Sequence, residues 1–69
     1  MGEWVGLYTH SYFRLNTAFV GYVEQNACDS DMPWLACVSI HSLYTEYGFP
    51  TKKEAKAFVE TTVALVLGE

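Results

Sequence analysis

The 69 residues suffice for one small domain, and we expect residues 1–69 to form a single one. Hydrophobic residues make up 51% of the chain and aromatic residues 16%, which excludes an intrinsically disordered polymer. The net charge of −4 disfavours a generic binder of polyanions, because lysine and arginine supply most of the affinity for phosphate.

The first element, over positions 4–15, fits two patterns. Read as a helix, positions 4, 7, 8, 11, 12 and 15 form a one-sided apolar stripe with a single lapse at Ser11. Read as a strand, positions 5, 7, 9, 11, 13 and 15 form one face, but the alternation with polar residues is less clean. Against the helix, Gly6, Thr9 and His10 are poor helix formers. We interpret the segment as a helix followed by a link over 16–20, and the strand stays open as the alternative.

Strand-like segments follow. Residues 21–25 indicate a first strand, 34–41 a second with one wholly apolar face, and 43–48 a third. Between the first two, residues 26–33 are dense in turn formers and predict a loop.

The last element is a helix over 51–67. Thr51 and Glu54 have the spacing of a capping box, and Pro50 stops the preceding segment from continuing as helix. Behind the cap, apolar residues recur at helical spacing, and Gly68 can end the helix. The predicted fold class is therefore α+β, in the order α-β-β-β-α, with two helices packed on one face of a three-stranded antiparallel sheet.

The helix start carries a family resemblance. It reads Thr51-Lys52-Lys53-Glu54-Ala55-Lys56, and with the predicted order of elements this segment resembles the double-stranded-RNA-binding domain family. The resemblance implies that Lys52, Lys53 and Lys56 contact backbone phosphates of duplex RNA. A helix N-terminus is itself an anion site, so lysines gathered there have a physical use.

Other family contact regions are altered in this chain. The loop between the first two strands carries Asp29 and Asp31 in place of the family's histidine, and Arg14 is the only base before the lysines. Divergent members of the family act as protein-interaction or dimerisation modules in RNA-processing or silencing pathways, and this is the function that the resemblance implies here. Surplus aromatic and leucine side chains are the candidate partner-binding residues: Tyr44, Tyr47, Phe49, Leu65 and Leu67.

Two other functions stay open. The first is weak direct binding of double-stranded RNA through the three lysines. The second is a small acidic inhibitor of a host protein, of the phage type, built from three strands and one helix. That alternative requires residues 4–15 to be extended.

Catalytic and metal chemistry have little support in the sequence. His10, His41, Cys28 and Cys37 lack the close spacing of zinc ligands, and nothing orients a nucleophile. We therefore expect no enzyme activity, no cofactor and no metal. Two cysteines are weak evidence for a disulfide, and no apolar stretch approaches the length of a membrane span. These features predict reduced thiols, a cytoplasmic or nuclear location, no membrane partner, and either a protein partner or self-association.

Overall fold

The computed structural model describes residues 2–15, 18–25, 31–40 and 42–68. In this part of the chain, five strands precede one helix. The elements are β1 (Glu3–Leu7), β2 (His10–Leu15), β3 (Ala18–Gln25), β4 (Trp34–Ile40), β5 (Leu43–Phe49) and α1 (Lys52–Leu67). The strands pair in chain order, each antiparallel to the next, so that β1 and β5 form the two edges of the sheet.

The prediction of two helices around a three-stranded sheet is wrong. Positions 4–15 form the β1–β2 hairpin, in which Leu7 pairs with His10 across a two-residue turn. Gly6 has φ +115°, a conformation outside the helical region that side chains rarely adopt. A Cβ at this position would also lie 2.7 Å from the carbonyl oxygen of His10. The hairpin therefore needs a glycine here for both conformation and space.

Residues 4–15 follow the strand pattern, the weaker of the two in the sequence, because β2 pairs with β3. Phe13 and Ser11 of β2 point to the core, whereas Tyr12 between them is exposed. The hydroxyl of Ser11 donates to the carbonyl of Leu7 at 2.7 Å, which satisfies this buried polar group. A helix would have buried Tyr12 and exposed Phe13, whereas the strand exposes Tyr12 and buries Phe13.

The three predicted strands are confirmed as β3, β4 and β5, with changed limits. β3 starts at Ala18, so the predicted link over 16–20 is wrong from that residue onward. Residues 16–17, His41 and the part of the predicted loop from 26 to 30 lie outside the described residues. Residues 31–33 form neither strand nor helix, as the turn formers predicted.

The predicted helix is confirmed, together with both of its ends. Thr51 is the N-cap, and its hydroxyl oxygen accepts from the backbone N–H of Glu54 at 3.2 Å. The same hydroxyl donates to the Glu54 carboxylate at 3.1 Å, so the capping pair closes through the side chains. Gly68 ends the helix in the left-handed conformation, with φ 78°.

The helix packs on β3 and β4 and covers one face of the sheet. Its apolar stripe supplies Ala55, Val59 and Val63 to the core. Gly21 of β3 lies directly beneath: a Cβ there would stand 2.7 Å from Cγ1 of Val59 and 2.9 Å from the carbonyl oxygen of Cys37. The close approach of helix and sheet depends on this glycine.

The edge strand β1 is fixed to the helix by its tryptophan. The indole N–H of Trp4 donates to the Glu60 carboxylate at 2.8 Å, and the Lys56 ammonium lies 4.9 Å from the centre of a Trp4 ring. Trp4 also packs on Phe13, with the ring centroids 4.9 Å apart. The hairpin is therefore part of the same core as the helix.

Candidate functional site

The face of the sheet opposite the helix is the main candidate site, and we call it the open face. In the part of the chain that the structure describes, no helix or strand packs on it. Antiparallel sheets with one solvated face normally carry polar residues there. This one carries rings instead, and the register places the following side chains on it: His10, Tyr12, Phe19, Tyr22, Leu35, Cys37, Tyr44.

Four of these rings form a continuous cluster on β2 and β3. His10 stacks on Tyr12 with centroids 4.8 Å apart, and Tyr12 lies 5.4 Å from Phe19 and 6.2 Å from Tyr22. His10 also contacts Tyr22 at 5.6 Å. Tyr12 is 37% exposed and Phe19 57%. The rings of the cluster therefore pack against one another, while much of the area of Tyr12 and Phe19 stays in contact with water.

Carboxylates make the open face negative. The Glu3 carboxylate is neutralised by an ion pair with Arg14. Glu24 lies 3.8 Å from Nδ1 of His10, and Glu46 projects from β5 on the same face. The pKa of Tyr22 is raised to about 12, mainly by burial and also by the nearby Cys37, Glu24 and Glu46 side chains. The two carboxylates thus act on the centre of the face, where they oppose another negative charge.

Cys37 links the ring cluster to β5. Its side chain is buried under the open face close to the hydroxyl groups of Tyr22 and Tyr44, and the Tyr44 hydroxyl donates to the Glu46 carboxylate at 3.3 Å. This contact with Cys37 is the main reason that the pKa of Tyr44 is raised to about 12, and the Glu46 carboxylate contributes as well. Tyr44 is otherwise 63% exposed. The Cys37 thiol therefore lies beside two tyrosine hydroxyl groups and away from solvent.

We expect these two tyrosines to make the stability sensitive to alkaline pH. Tyr22 and Tyr44 have a pKa of about 12 in the folded chain against 10.0 for an ordinary tyrosine, so the folded state holds their protons longer than the unfolded state. Their contribution to stability is complete below pH 10 and is lost as the pH rises through 12. A Cys37→Ala variant removes the main cause for Tyr44, and its pKa should fall towards 10, with a smaller fall for Tyr22.

Tyrosinate absorbance during an alkaline titration measures both effects. The wild-type chain should show tyrosines that ionise above pH 10, and the Cys37→Ala variant should show one of them returned to the ordinary range. The denatured chain is the reference. If the wild-type and denatured chains gave the same titration curve, the hydroxyl–thiol contacts would be wrong.

The three helix lysines lie away from the open face. The Lys52 ammonium is 4.1 Å from the centre of the Tyr8 ring and 5.6 Å from that of a Trp34 ring. Burial and the nearby Lys56 lower the pKa of Lys52. Lys56 covers Trp4, and Lys53 is exposed on the helix. Two of the three predicted phosphate contacts are therefore already engaged with aromatic rings, so phosphate binding by these lysines stays a prediction.

The predicted partner-binding residues fall into two groups. Tyr44 lies on the open face, whereas Tyr47 and Phe49 are on the helix side of β5, where each ring centroid is 5.3 Å from that of Phe58. A groove beside them is lined by Phe49, Phe58 and Leu65 together with polar helix residues. Leu67 is partly exposed in the last turn of α1. We call the outer edge of β5 with this groove the edge groove.

Reasoning from the sequence missed the ring cluster of the open face. Tyr12 was assigned to the buried stripe of a helix, and Phe19 to a link between elements. The signal was present: in the strand pattern, Tyr12 and Tyr22 both fall on the faces opposite the apolar residues of their strands. The faces of these two tyrosines can be assigned only once residues 4–15 are known to form a hairpin.

The other features of the described residues are negative findings. Within residues 2–15, 18–25, 31–40 and 42–68, no three histidine, cysteine or acidic side chains are grouped to hold a metal ion. No helix in those ranges has the length and apolar character needed to cross a membrane. Comparison with protein-family models, curated proteins and solved structures gives no match for this chain.

Proposed function

We propose that this chain is a protein-interaction module that docks a basic surface of a partner protein on the open face of its sheet. The observation that carries the proposal is the exposed ring cluster around Tyr12 and Phe19 on an uncovered sheet face. Tyrosine and other aromatic rings are enriched at binding hot spots, because they bury a large area while losing few rotamers.

The partner's charge follows from the carboxylates of the open face. With Glu3 paired to Arg14, Glu24 and Glu46 remain, among the described residues, as the acidic groups beside Tyr22 and Tyr44. A partner that presents arginine or lysine gains attraction to these groups and can place its cations over the rings. A nucleic-acid backbone would meet the same carboxylates as a repulsive field. Charge therefore favours a basic protein over a polyanion.

A second copy of the chain is a poorer occupant of the open face. Two such faces brought together would set two acidic, aromatic surfaces against each other, and like charges across an interface cost free energy.

The extended conformation of residues 3–7 and 10–15 meets the condition that the acidic-inhibitor alternative set, although the sheet has five strands rather than three. That alternative and the proposal share the same partner chemistry.

A photocrosslinking experiment tests the proposal. Phe19 is replaced by benzoylphenylalanine, and the labelled chain is irradiated in an extract of the cells that make it. The matched control carries the same group at Tyr8, which is 70% exposed but lies in the β1–β2 turn, outside the open face. We expect position 19 to capture a protein that position 8 does not, with the crosslink mapped to a lysine- or arginine-rich surface.

The captured protein is then purified, and its affinity is measured for three forms of the chain. Phe19→Ser should bind about tenfold more weakly than the wild type, whereas Tyr8→Ser should bind within about twofold. Duplex RNA is titrated in parallel at low and high salt. An acidic crosslinked surface, unchanged affinity of Phe19→Ser, or salt-sensitive RNA binding lost on substitution of Lys53 would contradict the proposal.

A further inference from the structure

The edge groove is a second surface, on the helix side of β5, and it meets the open face along the edge that carries Tyr44 and Glu46. β5 is the last strand of the sheet, and in the described residues no strand pairs with its outer edge. Every second residue of such a strand points its backbone N–H and C=O groups away from the sheet, where they are free to pair with another chain. Edge strands are often short or protected by charge, but β5 is seven residues long and carries one charged side chain, Glu46.

The groove lies where the side chains of an added strand would point. It lies along α1 beside Phe49, the last residue of β5, has a volume of about 520 Å³, and is lined by Phe49, Glu54, Ala57, Phe58, Thr61, Thr62 and Leu65. Tyr47, which lies at the side of the groove, is 58% exposed, and Leu65 is 75% exposed. Alternate residues of a strand face opposite sides of the sheet. One set of side chains on an added strand would therefore enter the groove, and the other set would lie beside Tyr44 and Glu46.

We infer that β5 accepts an extended segment of a partner protein as a sixth strand, in which apolar residues that enter the groove alternate with basic residues beside Glu46. Among the described residues, the only charged one lining the groove is Glu54, and the only one on β5 is Glu46. Both are acidic, so charge complementarity selects basic residues in the added strand. Main-chain hydrogen bonds supply affinity in this mode of recognition, and the alternating side chains supply specificity.

A second copy of β5 fits this edge less well. Two β5 strands pairing symmetrically about their middle residue would set Glu46 against Glu46, since the strand runs from Leu43 to Phe49. Like charges directly opposite each other destabilise an antiparallel pair. A basic residue in that position removes the repulsion, and only a different sequence can supply it.

A synthetic peptide tests the inference directly. The probe is a fluorescent peptide of the same length as β5 in which valine and lysine alternate, and its binding is followed by fluorescence anisotropy. Two control peptides have the same composition: one has valines and lysines in separate blocks, and one is N-methylated at alternate residues. We expect the alternating peptide to bind at least about tenfold more tightly than either control.

Variants of the chain locate the binding site. Leu65→Ser should weaken binding of the alternating peptide, because it removes an apolar wall of the groove. Glu46→Lys should reverse the preference towards a peptide in which valine alternates with glutamate. Equal binding of the alternating and block peptides, or an unchanged preference in Glu46→Lys, would overturn the inference. Phe19→Ser should leave peptide binding unchanged, so a failure at this edge can be told apart from a failure of the proposed function.

Discussion

Replacing Phe13 with alanine should remove much of the stability of this domain, whereas replacing its neighbour Tyr12 should cost little. Phe13 is 2% exposed and packs on Trp4 under the helix. Truncating a buried phenylalanine costs about 3–5 kcal/mol, and a chain of this length has roughly 3–10 kcal/mol in total. Tyr12 loses contacts on the open face only, for which we expect about 1 kcal/mol.

Urea unfolding of the two variants measures this difference. The order of the two effects also tests the hairpin, because a helix over positions 4–15 would have placed Tyr12 inside and Phe13 outside. A larger loss of unfolding free energy for Tyr12→Ala than for Phe13→Ala would contradict the strand assignment of β2.

Replacing Val59 with aspartate should abolish cooperative folding. Val59 is fully buried against Gly21, where an aspartate carboxylate would have neither water nor a cationic partner in the described core. An uncompensated buried charge costs about 3–5 kcal/mol, which is close to the whole stability of the domain.

The matched control is Thr61→Asp, two residues further along α1 on its exposed side. It introduces the same side chain into the same helix, and we expect a change within about 0.5 kcal/mol. Thermal unfolding followed by circular dichroism compares the two variants. A cooperative transition for Val59→Asp near the wild-type midpoint would mean that α1 does not pack on β3 and β4 as described.

The C-terminal half of the fold could be predicted because its signals are local. The cap at Thr51, the terminating Gly68 and the apolar stripe of α1 all act within a few residues of the chain. The alternation of β4 is equally plain, since Trp34, Ala36, Val38 and Ile40 are all buried on one side. Such patterns determine both the type of element and the face that it buries.

The N-terminal half could not be predicted because its conformation is decided by distant partners. β2 exists as a strand because β3 pairs with it, and Trp4 is held by Glu60 more than fifty positions away. Local periodicity slightly favoured the helix, but tertiary pairing overrides such a preference. The phosphate role predicted for Lys52, Lys53 and Lys56 follows from the family resemblance and from their place at a helix N-terminus. The two-helix arrangement that the resemblance implied is wrong, and the phosphate role stays a prediction.

The prediction of the candidate site was affected by the same wrong assignment of residues 4–15 to a helix. Tyr44, a predicted partner-binding residue, does lie on the open face, but the predicted helix and link place Tyr12 and Phe19 of the same face elsewhere. Phe49 and Leu65 belong to different elements, and the fold brings them to one groove, with Tyr47 beside Phe58 at its side. Surfaces assembled from several strands become visible only when the register between those strands is known.

Fluorine NMR of the chain labelled with fluorotyrosine tests the central claim most directly, because its five tyrosines report on three different surfaces. Tyr12, Tyr22 and Tyr44 lie on the open face, Tyr47 lies at the edge groove, and Tyr8 lies beneath Lys52 at the start of the helix. Titration with the protein captured at position 19 should shift the resonances of the three open-face tyrosines and leave that of Tyr8 unchanged. A shift of Tyr8 with the three open-face signals unmoved would place the partner at the helix lysines and contradict the account.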